Sequence, residues 1–295
     1  LQIIETSALT DAQKKEVTAL QTLCRAADGL RCEVYLSSEL NFDPDIPCFY
    51  LGYEAGELAA FLTVFLPSRR EGEVLGFTAP GRRLEGRFRA LLRAAAESVS
   101  AHGVPRLLLR VESASESGRK ALSHFAPALF DHAENRLVCR SPGGANPPGP
   151  IAGYVLHTAS EADAETYAAV MRDAFGDGAG EAERYFRRIL EAPDREALML
   201  LKNGEPIGVC SIHYEAEHAF LYGLGVRPDR RGQGCGRALL DLALLRASLR
   251  RETVFLDVDT ENPSALGLYF SRGFLPVFRE DYYALALTPE RLAAL

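Results

Sequence analysis

Residues 221–237 read Leu-Tyr-Gly-Leu-Gly-Val and then Arg-Pro-Asp-Arg-Arg-Gly-Gln-Gly-Cys-Gly-Arg, and an amphipathic run beginning Ala238-Leu-Leu follows. An apolar strand, a glycine-rich turn and a helix start, in this order, suit the capture of a phosphorylated ligand. Gly232, Gly234 and Gly236 remove side chains, so the backbone can come close to a bulky anion. Consecutive free N–H groups at a helix start form an anion nest, and the helix dipole adds partial positive charge. Arg231 and Arg237 flank the turn and can pair with phosphate oxygens, with Gln233 and Cys235 between the glycines. The bland alternative is a glycine-rich turn with solvated arginines. A dinucleotide site with Asp257 as its ribose acid fits badly, because its third glycine position is Arg237. No Gly-Lys-Ser/Thr follows to make a Walker loop.

A second constellation lies further on: Asn262-Pro-Ser-Ala265-Leu-Gly-Leu-Tyr269-Phe-Ser-Arg-Gly273-Phe274. Together with Arg231-x-x-Gly234-x-Gly236, set between Leu-Gly-Val and Arg-Ala-Leu-Leu, it resembles the GNAT superfamily of N-acetyltransferases. The loop is similar to that family's acyl-CoA pyrophosphate loop, and the later stretch to its Asn…Ala…Tyr…Gly-Phe helix. The resemblance covers residues 151–290 well and the first half weakly. It implies acetyl-CoA as cosubstrate, no metal, and direct attack of a primary amine, on a small molecule or a peptide, on the thioester carbonyl. The alternative is a non-catalytic acyl-CoA-binding or interaction module.

The resemblance also distributes roles. The loop from Arg231 to Arg237 holds the pyrophosphate, and Cys235 within it is a small filler rather than a nucleophile. Backbone N–H groups near Leu224 and Val226 hold the pantetheine arm like an added strand, and one of them serves the developing oxyanion. Gly223 and Gly225 let that strand bulge and splay, unless they relieve crowding against a helix. Asn262 caps its helix and contacts the cofactor. Tyr269 is the catalytic candidate: a phenol near ~10 can protonate a thiolate whose acid lies near ~8.5. Its alternative role is a ring packed in an amphipathic helix. The general base is not readable. His213, Glu215, Glu217 and His218 are candidates that also read as solvated loop residues, and Tyr222 is within reach.

The elements that must position these residues follow from periodicity. Strands are expected near 154–157, 197–201, 206–214, 220–226, 253–258 and 282–287. Helices are expected near 161–175, 181–190, 234–250 and 263–271. Asn203-Gly204 tolerates the positive φ of a tight hairpin turn. The first half repeats this order, with strands near 49–53, 58–66, 74–78 and 106–111 and a helix near 86–100. The repeat is visible in the residues themselves. Arg83-Leu-Glu-Gly86-Arg-Phe88-Arg89-Ala-Leu-Leu92 lies in constant register under Arg231 to Leu240, with Pro80 and Arg82 under Pro228 and Arg230. A small loop deletion then brings Ala121, Leu122, Phe125 and Phe130 under Ala265, Leu266, Tyr269 and Phe274.

The expected fold is therefore α/β (α+β), two tandem GNAT-like domains, each a mixed, mostly antiparallel sheet flanked by helices. The expected boundaries are 1–140 for a degenerate domain, 141–150 for a Pro/Gly linker and 151–295 for a catalytic domain. The architecture is similar to that of the mycothiol synthases. Phe88 replaces the glycine equivalent to Gly236, and Phe125 lacks the hydroxyl of Tyr269, so the first half keeps the fold without the chemistry.

Composition narrows the partners. A net charge of -7 and a pI near 5.5 argue against nucleic acid or an anionic membrane surface. The six cysteines form no CxxC pair and have no zinc spacing, so they read as free thiols of a cytoplasmic protein. No apolar run approaches the ~20 residues that span a bilayer. The oligomeric state stays open.

Overall fold

The computed structural model describes residues 1–125, 128–142, 153–176, 178 and 180–295. Most of the expected linker, 143–150, lies outside the described residues. The chain forms two compact units, Leu1–Ala133 with Phe278–Leu295, and Glu134–Val277.

In chain order the first elements are β1 (Gln2–Thr6), α1 (Asp11–Asp28), β2 (Phe49–Glu54), β3 (Glu57–Phe65), β4 (Gly72–Thr78), α2 (Arg87–Ala101), β5 (Arg106–Glu112), α3 (Glu116–Leu122) and β6 (Leu129–Arg140). They are followed by β7 (Tyr154–Thr158), α4 (Ala164–Phe175), α5 (Glu181–Glu191), β8 (Arg195–Lys202), β9 (Glu205–Tyr214) and β10 (Ala219–Val226). Then come α6 (Cys235–Ser248), β11 (Thr253–Asp259), α7 (Pro263–Phe270), β12 (Leu275–Ala286) and α8 (Pro289–Ala294). Asn203 and Gly204 turn between β8 and β9 with φ 52 and 85, the two positive values that a tight hairpin requires.

The second unit's sheet runs β7-β8-β9-β10-β11-β6, and only β10 and β11 pair in parallel. The first unit's sheet runs β1-β2-β3-β4-β5-β12, with β4 and β5 as its parallel pair. Each is thus a mixed, mostly antiparallel sheet, as the repeat predicted. In the second unit α6 lays Ala238, Leu239, Ala243 and Ala247 on Leu221, Val254 and Leu256 to make the core.

The closing strands do not follow the linear repeat. β11 pairs with residues 134–140, from Thr253↔Arg140 to Asp259↔Glu134. β5 pairs with residues 280–286 of β12, from Arg106↔Ala286 to Glu112↔Glu280. The strand after α3 therefore closes the second unit's sheet, and the strand after α7 closes the first's. Boundaries drawn at 140 and 151 assign 134–140 and 278–295 to halves other than the units that contain them. A sequence repeat reports the order of elements; it carries no information on which edge a strand closes.

Candidate active site in the second unit

The site is built on an irregularity in β10. Its register with β9 runs from Ala219↔Tyr214 to Tyr222↔Ser211 and resumes at Gly225↔Val209. Gly223 and Leu224 thus stand opposite Cys210 alone, which is a β-bulge. Both expected uses of the glycines occur, one at each position. Gly223 has φ +60 and open space around it, so its backbone conformation is what demands glycine. A Cβ on Gly225 would lie 2.5 Å from the Phe175 ring and 2.8 Å from Ala174, so that glycine admits the end of α4. β10 and β11 pair only at Ala219↔Val254 and Phe220↔Phe255. The strands therefore part just before the bulge, and the peptide groups of Leu224 leave the ladder beside the gap.

Beyond Val226 the chain makes a turn and enters α6. Gly232 and Gly234 have φ +71 and +81, a left-handed backbone that side chains disfavour. Gly234 is the N-cap and supplies no side-chain bond. The N–H groups of Cys235, Gly236 and Arg237 thus lack both an intrahelical carbonyl and a capping side chain. A Cβ on Gly236 would meet only Leu268 and Val226, at 3.8 and 3.9 Å. Neither φ nor close packing requires glycine there, so its effect is to leave the space before the helix open.

The two arginines differ. Arg231 Nε donates to the Val226 carbonyl at 3.1 Å and its Nη2 to the Ala174 carbonyl at 2.9 Å, which ties the loop to β10 and to α4. Gln233 braces the turn through Asp229 O at 2.9 Å. Arg237 is 68% exposed and its Nε stands 4.0 Å from Asp241, which Arg272 already engages, so Arg237 is the loop cation with reach. Cys235 is buried, with its sulfur 3.5 Å from Tyr154 Oη. Asn262 Oδ1 accepts the Ala265 N–H at 3.0 Å and caps α7.

Tyr269 belongs to the same core cluster as Val226 and Cys235, with Leu224 packed against it. It is 7% exposed, and its ring meets Phe274 edge-on at 5.7 Å. Its hydroxyl makes no hydrogen bond to another described residue. Burial, and to a lesser degree Cys210, pushes its phenol up to about 12. At neutral pH it is a proton donor. Cys210 is the residue opposite the bulge, which places Tyr269 on the core side of it.

The polar residues of the β9–β10 hairpin gather elsewhere. His213 contacts Asp194 at 2.9 Å and Glu215 at 3.5 Å, and His218 contacts Glu215 at 3.5 Å. His213 is opposite Phe220, and His218 precedes β10. At about 3.3 Å per strand residue, their register positions lie roughly 13 and 20 Å along the strand from Leu224. Glu217 is exposed in the same hairpin. Tyr222, by contrast, borders the bulge. Its partner Arg195 was not legible as a site residue: Nη1 donates to Tyr222 Oη at 3.1 Å across a gap of 27 positions in the chain.

Comparison with known proteins bears on the family and the fold. The model of the acetyltransferase (GNAT) family matches residues 164–274. A mycothiol acetyltransferase of Kineococcus radiotolerans is 32% identical over 250 residues, covering 79% of this chain and 79% of that protein. The ribosomal protein bS18-alanine N-acetyltransferase of Escherichia coli is 34% identical over 86 residues, 28% of this chain and 58% of that protein. Among solved structures, a tandem GNAT protein from the clavulanic acid biosynthesis pathway superposes with a TM-score of 0.71 at 20% identity, over 98% of this chain and 99% of that one. The chain belongs to the GNAT acetyltransferase family. It is a tandem member and an N-acetyltransferase, and its family uses acetyl-CoA as cosubstrate. No helix among the described residues is long and apolar enough to cross a membrane.

Proposed function

We propose that the second unit transfers the acetyl group of acetyl-CoA to a primary amine by direct attack, and that the first unit does not. The carrying observation is the uncapped start of α6, opening on the space kept clear by Gly236, beside the bulge of β10. The N–H groups of residues 235–237 and the Arg237 guanidinium suit a pyrophosphate. Arg231, Gln233, Gly232 and Gly234 hold the loop in shape for it. The Leu224 and Val226 peptide groups suit the pantetheine amides and the oxyanion. Tyr269, held protonated by burial, donates to the departing thiolate. Asn262 sets the start of the helix that carries Tyr269.

The relative aligned along most of the chain is named for mycothiol acetylation, and the one that acts on a ribosomal protein aligns over 86 residues. A small-molecule amine is therefore the first acceptor to test. Thiol release from acetyl-CoA should occur with some member of an amine panel, and calorimetry should give about one site per chain. Binding without thiol release from any amine or peptide would leave the binding-module reading in place.

A further inference from the structure

Forming an amide from an ammonium removes two protons from nitrogen, and Tyr269, a neutral phenol until it has protonated the sulfur, cannot take the first. Resting on the second unit's role as transferase, we propose that Tyr222 takes the first of these protons, with Arg195 holding its oxygen for the task. Tyr222 is the last residue of β10 in register before the bulge. Its neighbour Leu221 lies in the α6 core, so strand alternation turns Tyr222 to the other face. Tyr269 sits in that core. The two phenols thus belong to opposite faces of the sheet beside the bulge.

The Tyr222 face is polar by construction. Arg195 is only 9% exposed, and its guanidinium lies 5.6 Å from the Tyr222 ring centroid as well as bonding the oxygen. A guanidinium only donates and keeps its charge, so it stabilises the phenol oxygen as an anion. From α4, Tyr167 faces the same place, bonded to Ser211 Oγ at 3.0 Å, and Ser211 is the residue opposite Tyr222. Burial pushes the Tyr167 phenol up, so it stays a neutral donor.

The step balances. The ammonium gives one proton to the Tyr222 phenolate, and the free amine attacks the carbonyl to form the C–N bond. As the C–S bond breaks, Tyr269 protonates the sulfur and recovers the second proton from the amide nitrogen. Tyr222 releases its proton to water, leaving amide, thiol and one proton.

The test uses the full chain, acetyl-CoA, and two probes: an alkylamine, cationic at neutral pH, and an acyl hydrazide, whose terminal nitrogen is already neutral. Tyr222→Phe should lower alkylamine turnover about 10²-fold and hydrazide turnover less than about threefold, since only the first nucleophile needs a base. Arg195→Met should reproduce this pattern, and Arg195→Lys should recover at least about tenfold over it. Acetyl-CoA affinity and melting temperature, unchanged in Tyr222→Phe, confirm that the fold is intact. Equal losses with both nucleophiles, or no loss with the alkylamine, overturn the proposal while leaving the transferase reading standing. A wild-type chain that releases no thiol with either probe, or with the wider amine panel, overturns the transferase reading itself.

Discussion

The glycine loop of the second unit and its counterpart in the first have nearly the same backbone and different surroundings. Gly234 has φ 81 and ψ 0, and Gly86 has φ 81 and ψ 2. Arg231 and Arg83 each donate from Nε, at 3.1 Å, to the carbonyl that ends the preceding strand. The loop shape is therefore held by the same internal bond in both units. Space and strand geometry differ. A Cβ on Gly76 would lie 3.1 Å from the Phe88 ring, so that ring covers the backbone of β4. β4 keeps unbroken register with β3 from Phe65↔Glu73 to Ala60↔Thr78, where β10 has its bulge. A cavity of about 850 Å³ remains in the first unit, lined among others by Phe88, Leu122, Phe125 and Arg83. Its walls are engaged: Arg83 grips Asp28 at 2.9 and 2.8 Å, and Glu112 accepts the Arg31 and Cys32 N–H groups at 2.8 Å each. The fold tolerates these changes, whereas the proposed chemistry depends on a few positions: the bulge, Gly236 and a phenol on the short helix.

Separating the units along the repeat or along the structure should give the largest contrast. Residues 151–295 alone should fail to fold cooperatively, because β11 loses its antiparallel partner and the core loses Leu137 and Cys139. Full burial of one such aliphatic side chain is worth about 1.5–3 kcal/mol, and the bared edge invites aggregation. Residues 134–277 keep the whole second unit and should melt as one transition by circular dichroism. A cooperative melt of 151–295 at the temperature of the full chain would show that the closing strand is dispensable.

Exchanging features between the loops comes next. Gly236→Phe copies Phe88 and should weaken acetyl-CoA binding on the order of 10²-fold by calorimetry, through loss of one or two charge-assisted bonds. The reverse change, Phe88→Gly, should not create a second site, because β4 has no bulge and Leu84 stays in the loop. Two equal sites in either protein would remove the proposed distinction between the units. Tyr269→Phe copies the missing hydroxyl and should lower turnover about 10²-fold with cofactor affinity unchanged, as for loss of a positioned acid. Unchanged turnover, with chemistry limiting, would remove Tyr269 from the mechanism.

Much of the second unit was legible because its signals are local. The Asn203-Gly204 turn, the glycine loop and the Asn262 cap each announce themselves within a few residues. The element that closes its sheet was not. Residues 129–140 carry Asp131, His132, Glu134, Asn135 and Arg136, which mask the strand alternation. α1 went unread although Thr10 and Gln13 form a capping box and Gly29 ends it at φ 68. One inferred equivalence also changes. Ser115 and Asn262 cap corresponding helices, each bonding the N–H three residues on. Counted from those caps, Leu122 and not Phe125 occupies the place of Tyr269. The gap placed in the repeat had shifted the pairing, while the absence of a hydroxyl stands. Arg195 and Tyr222 meet only through sheet register, which no local pattern reports.

The smallest effect concerns the residue that distinguishes the two loops without touching chemistry. Leu84 stands where the second unit has Gly232, and it has kept the left-handed backbone, with φ 63 against 71. Its side chain is 86% exposed, so little burial compensates the strain. A left-handed L-residue costs about 1–2 kcal/mol. Glycine would relieve that cost but lose about 0.5–1 kcal/mol more backbone entropy on folding. Leu84→Gly should therefore stabilise the chain by about 0.5 kcal/mol, a rise of about 1–2 °C for a unit of this size. Gly232→Leu should lower the melting temperature by a similar amount, because it imposes the same strain on the other loop. Calorimetric melts of the two variants measure both. A fall in melting temperature for Leu84→Gly would mean that the leucine side chain stabilises the first loop despite its exposure. The two loops would then share a backbone for different reasons, and the internal hydrogen bonds of Arg83 and Arg231 would no longer suffice to explain it.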